Sequence, residues 1–168
     1  MSLSQITAYR MMKGSLNERI SMDKFPYSGI VLTHSYNAAV TDSASSATAY
    51  STGFKTNNGA LGLDQDLNEL ENLTETIDKF GFVSSLISTS EVTHATPAAF
   101  AAHVDLRWKT DIISSQMIDS RVATILGGGR NFFTPEEQGG KREDGRHLFD
   151  EIKESHIMTV SYTHHRAH

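Results

Sequence analysis

The stretch that decides the fold is Ala39–Gly62, AVTDSASSATAYSTGFKTNNGALG. Its first fourteen residues carry seven Ser or Thr hydroxyls around one carboxylate, Asp42, and almost no large apolar side chain. The small residues from Ala44 to Tyr50 can form a helix, and Ser43 then stands at its N-terminus. Backbone N–H groups and the positive end of the helix dipole favour an alkoxide or a bound anion there. From pattern alone, a capping Ser in a surface loop is the favoured reading of the same residues. Asn57-Asn58-Gly59 and Gly62 mark turns just beyond.

Outward from this stretch, strands and helices alternate. Ser4 to Met12 reads as a helix with Ile6, Tyr9 and Met12 on one face. Met22 to Ser28 reads as loop, and Gly29-Ile30-Val31-Leu32-Thr33-His34 as a short strand. Leu73 to Phe80 is predicted helical with Gly81 as its stop. Phe82 to Ser88 is predicted to be a buried strand. Thr96-Pro97 is a helix start that Ala98 to Trp108 continues. Ile112 to Ile118 is a second amphipathic segment. Val122 to Leu126 is a strand ending in Gly127-Gly128-Gly129. Gly145 to Glu154 reads as helix and Ile157 to Val160 as a last strand. The alternation argues for an α/β layered fold with a mostly parallel sheet. Such sheets gather functional residues at the carboxyl ends of strands.

Composition narrows the function. The 168 residues suit one domain. Residues 161–168 read as a disordered or foreign tail. A net charge of -5 argues against nucleic acid as a partner. No apolar run approaches the ~20 residues of a spanning helix, so no membrane partner is expected. Zero Cys excludes disulfides and thiolate metal sites. Met1 is followed by polar residues without the basic-then-apolar pattern of a secretory signal.

A second stretch, STSEVTHATPAAFAAHVDLRWK (88–109), bears on how Ser43 would be activated. No His lies near Ser43 in sequence to act as its base, and a metal ion is the other route. His94 and Thr96 precede the expected helix. Arg107 follows Thr96 by eleven residues. On an ideal helix this is within ~20° of the same face but ~16 Å along the axis. Arg107 must therefore reach back to share a site with Thr96. Arg suits a two-pronged grip on phosphate, and a solvated helix residue is the plainer alternative.

TDSASSATAYSTGFKTNNGALG resembles the nucleophile segment of alkaline phosphatases. THATPAAFAAHVDLR resembles the metal- and phosphate-binding segment that comes after it in that family. LGGG, followed by an Arg and aromatic residues, is similar to the family's glycine-rich strand end. Order and spacing agree from about Ser4 to Ser155. The resemblance implies the family's three-layer α/β/α sandwich, here incomplete, and phosphomonoester hydrolysis through a phosphoserine at Ser43. It implies that Asp42 holds Arg107 and that Arg107 binds the non-bridging oxygens of a phosphomonoester or inorganic phosphate. It implies Thr96 as a ligand of a third metal, usually Mg2+, with Ser43 also at the metal sites. His94 stands where some members carry Asp and others His, and acts near that metal through water. Two Zn2+ ions are implied as well, with most of their ligands far downstream. A further ligand belongs to an Asp-Gly-Met-Gly segment of the family, and the opening residues here resemble the part of the family just C-terminal to that segment. The expectation is a chain truncated at both ends, with a doubtful activity of its own, from a periplasmic or secreted parent. Exposed strand surface is expected to make it self-associate or form homo-oligomers.

Two other readings stay open. One is a non-catalytic α/β domain that keeps only an anion pocket. The other is a different phosphate-handling enzyme built on Gly127-Gly128-Gly129, although no G-x-x-x-x-G-K-[ST] pattern is present. Remaining candidates read as structural. Asn72-Leu73-Thr74 is a helix start rather than a glycosylation acceptor. His34 and His103 are packing or solvated residues, Trp108 and Phe100 packing residues. His164, His165 and His168 form a terminal cluster that binds metal only adventitiously.

Overall fold

The computed structural model describes residues 3–13, 17, 19–152 and the strand at 157–160. The expected tail at 161–168 lies outside the described residues, with its three His. Two compact units are present, Met1–Leu32 and Thr33–His168.

The first unit holds helix α1 (Leu3–Met12) and a 3-10 turn at Ser21–Lys24. Arg10 Nη2 donates to Asp23 Oδ1 at 2.5 Å and ties the two together. None of its described residues is buried. The strand expected at 29–34 does not form. Ile30 is 97% exposed, and the sheet contains no strand from this segment. Apolar β-branched character makes a strand only where a ladder partner stands beside it.

The second unit is an α/β assembly in which α2 (Ser43–Thr52) and α3 (Leu73–Asp78) precede strand β1 (Ser84–Glu91). Next come α4 (Ala95–Ala98), α5 (Thr110–Asp119), β2 (Val122–Gly128), α6 (Leu148–Glu151) and β3 (Ile157–Val160). The three strands form one parallel sheet in the order β1-β2-β3, as the alternation predicts. The core joins Ala44 and Ala47 of α2, Ala95 and Ala98 of α4, Ile113 and Met117 of α5, Val122 and Ile125 of β2, Phe133 and Leu148. The small side chains let α2 and α4 approach closely. Arg142, only 1% exposed, clamps this core. It donates to Ser114 Oγ (2.6 Å) and the carbonyls of Asp111 and Phe132 (both 3.2 Å), and pairs with Asp144. Arg142 is not foreseen from the sequence, because a basic residue in a Gly-rich loop carries no sequence mark of burial.

Three further expectations change. Residues 82–88 are not a buried strand: β1 alternates, with Leu86 partly buried and Ile87 76% exposed. It is the edge strand of the sheet, and it leaves Ile87 to solvent. The helix from Thr96 to Trp108 is also absent. α4 ends at Ala98, and turns replace it. The last helix is likewise only Leu148–Glu151.

Gly127 belongs to the packing of this sheet. A Cβ there would meet Val92 Cγ1 at 2.7 Å and the Ser88 carbonyl oxygen at 2.9 Å. β1 shifts register between Ile87 and Glu91 and folds over this point. Gly127→Ala is therefore expected to destabilise the chain by about 1–3 kcal/mol, the usual cost of overpacking. Urea unfolding of the two proteins side by side measures it.

Candidate active site

Asp42 is the N-cap of α2, and Ser43 is the first residue of the helix. The expected helix start is present, but bends rather than a strand lead into it. Asp42 Oδ1 accepts from the backbone N–H of Ser45 (2.9 Å) and from Ser45 Oγ (3.0 Å). Its Oδ2 accepts from the N–H of Gly59 (3.1 Å) and from Arg107 Nη1 (3.3 Å). Partial burial pushes the carboxyl up, but the hydrogen bonds from Ser45, Gly59 and Arg107 outweigh it and hold it below the ordinary value.

Arg107 arrives by a different route from the one expected. Leu61 and Val104 exchange both backbone hydrogen bonds (2.8 and 2.9 Å), and Arg107 N–H donates to the Gly59 carbonyl (2.8 Å). This short antiparallel pairing folds the chain back, so no long helix separates Arg107 from Thr96. Thr48 secures the pairing to α2: its hydroxyl donates to the Ala60 carbonyl (3.2 Å) and accepts from Gly62 N–H (3.1 Å).

The guanidinium then touches three expected residues. Besides Asp42, Nη1 donates to Ser43 Oγ at 2.7 Å, and Nη2 to His94 Nε2 at 3.1 Å. An Arg only donates, so His94 Nε2 is the acceptor and its proton sits on Nδ1. Thr96 stands two residues past His94, exposed, and no described hydrogen bond joins it to the group. Asp42, Ser43, His94 and Arg107 are thus brought together, with Thr96 on the adjoining turn.

Ser45 and Asn58 complete the scaffold, and sequence reasoning missed both. Asn58 Oδ1 accepts from Asp42 N–H (3.1 Å) and Ser45 Oγ (2.9 Å), and its amide donates to the Val40 carbonyl (3.0 Å). The signal for Asn58 lies in the Asn-Gly-Ala-Leu-Gly motif, which by itself reads only as a turn. Trp108 also departs from expectation. It is 73% exposed rather than packed, and the Arg107 guanidinium lies 5.1 Å from its ring centroid.

The whole of the described chain matches one family: residues 1–167 fit the alkaline phosphatase model. The chain belongs to the alkaline phosphatase family. It is 35% identical to the repressible alkaline phosphatase of Saccharomyces cerevisiae, covering 82% of this chain and 26% of that protein. It is 32% identical to alkaline phosphatase 4 of Bacillus subtilis, covering 85% of this chain and 34% of that one. The solved alkaline phosphatase from the Antarctic bacterium TAB5 superposes with a TM-score of 0.80 and 33% identity, over 90% of this chain and 42% of that one. Mutants of the TAB5 enzyme in which a His is replaced by Glu or Asp have Mg bound in their M3 site. The chain therefore spans under half the length of these alkaline phosphatases.

His103 braces the returning segment. Nδ1 bonds the Gly62 carbonyl (2.9 Å) and Nε2 bonds Glu75 Oε1 (3.0 Å). Gln116 holds its backbone from both sides, accepting from His103 N–H (2.6 Å) and donating to its carbonyl (3.1 Å). Only the imidazolium can donate from both ring nitrogens. Burial pushes the His103 pKa down, but Gly62, Glu75 and Glu69 outweigh it and raise it above the ordinary value. A raised folded-state value means stability fully present below the unfolded value of about 6.5. That contribution is lost as pH rises through the folded value. Denaturation midpoints from about pH 6 to about pH 9 are expected to fall, and His103→Gln to flatten that slope.

Proposed function

We propose that this chain carries the nucleophile and phosphate clamp of a phosphomonoester hydrolase that works through a phosphoserine at Ser43. The observation that supports the reading most is the 2.7 Å contact between Arg107 Nη1 and Ser43 Oγ, with Asp42 behind the guanidinium. Ser43 Oγ accepts from Arg107, so its own proton is free to leave. The adjacent positive charge and the start of the ten-residue α2 favour the alkoxide. Arg107 offers its donors to non-bridging phosphate oxygens. As the Ser43 Oγ–P bond forms, the bond from phosphorus to the leaving-group oxygen breaks, and that oxygen takes up a proton. Water then attacks phosphorus, and Ser43 Oγ leaves with a proton regained. The non-catalytic alternative is not favoured by the family match.

Metals enter the reading unequally. Thr96 and His94 fit one Mg2+ that keeps several waters, with Thr96 as a direct ligand and His94 acting through water. Hard oxygen donors suit Mg2+, and His94 Nε2 is already turned to Arg107. Bound there, Mg2+ would supply positive charge beside Ser43 and make the waters that it holds more acidic. Two Zn2+ do not fit the described residues, which hold no group of three or more His, Cys, Asp or Glu able to form a cage.

The ligand class is a phosphomonoester or inorganic phosphate, with a periplasmic or secreted setting for the parent. Self-association through the open β1 edge belongs to the same reading, supported by the exposure of Phe82, Val83 and Ile87.

Two measurements test the reading. Arg107→Ala is expected to weaken inorganic phosphate binding about tenfold to a hundredfold, as loss of charge-assisted hydrogen bonds does. Unchanged affinity would remove the clamp. Hydrolysis of a chromogenic phosphomonoester at alkaline pH, with added zinc and magnesium, is expected to be weak or nil. Robust turnover abolished by Ser43→Ala would uphold Ser43 and refute the absence of a usable metal cage.

A further inference from the structure

Trp108 is the single Trp of the chain. Its backbone is fixed on both sides: Arg107 N–H donates to the Gly59 carbonyl, and Thr110 N–H to the Trp108 carbonyl at 2.8 Å. The residue nonetheless remains 73% exposed. The Arg107 guanidinium carbon lies 5.1 Å from the ring centroid, while Nη1 of the same guanidinium touches Ser43 Oγ. One cation thus joins the indole and the nucleophile. Guanidinium contact uses one side of the ring and leaves most of the indole to water, an unfavourable state for so large an apolar surface.

We propose that Trp108 is a specificity-determining residue, whose exposed indole receives the leaving group of aryl phosphomonoesters held by the Arg107 clamp. The inference rests on the clamp reading of Ser43 and Arg107. An aromatic leaving group can stack on the indole and cover it, with the offset or edge-to-face geometry such pairs prefer. A methyl ester or inorganic phosphate has nothing to stack.

The test compares phenyl phosphate, methyl phosphate and inorganic phosphate by calorimetry on the full chain, with Trp108 fluorescence as a second readout. Phenyl phosphate is expected to bind roughly threefold to tenfold tighter than methyl phosphate and to perturb the fluorescence more. Trp108→Leu should abolish that preference and leave inorganic phosphate unchanged, and Trp108→Phe should retain most of it. The inference is overturned by no preference in the unmodified chain, by a preference that survives Trp108→Leu, or by equal weakening of all three ligands. Equal weakening would mean that Trp108 only positions Arg107. Failure of the underlying clamp reading has its own signature, inorganic phosphate bound as tightly by Arg107→Ala, and would overturn the inference with it.

Discussion

The Asp42 carboxylate is the constraint on which the site depends. One oxygen caps α2 through Ser45, and the other holds Gly59 N–H and Arg107. The helix that carries Ser43, the turn at Gly59 and the cation that touches Ser43 therefore share one anchor. A carboxylate is suited to this because its two oxygens accept several hydrogen bonds at once. Those bonds more than offset the cost of partial burial, so the group stays charged.

Small side chains make that convergence possible. Ala44 and Ala47 face Ala95 and Ala98, which lets the start of α4 come close to α2 and brings His94 within reach of Arg107. Gly62 has a φ of 63°, and a Cβ on it would stand 2.5 Å from His103 Nδ1. The turn that returns Arg107 to Ser43 is therefore built around a missing side chain. His103 then fixes the turn to α3 and α5 through Glu75 and Gln116. The contact between Arg107 and Ser43 rests on backbone pairing and side-chain braces.

Much of this was legible in the sequence, for reasons that particular residues make clear. α2, α5 and β2 appear near their expected places because capping, amphipathic spacing and a Gly stop are local signals. Asn72 caps α3 as read, with its side chain accepting from Thr74 and Glu75 N–H and its own surface almost wholly buried. The 29–34 strand failed because its partner is not a local property. The long helix after Thr96 failed because its alanines serve close packing, and high helix propensity yields to tertiary contact.

The sequence by itself determined the family, the helix start under Ser43 and the capping role open to Asp42. Only the tertiary structure decided how Asp42, Ser43 and Arg107 meet. It replaced the expected helix with a strand-like return along Gly59–Leu61, buried Arg142 among carbonyls, and left Trp108 open beside Arg107. The physical reason is range. Capping and turn preferences act over a few residues, whereas the contact between Ser43 and Arg107 joins positions sixty-four residues apart. A hydrogen bond over that distance exists only once the packing between them has formed.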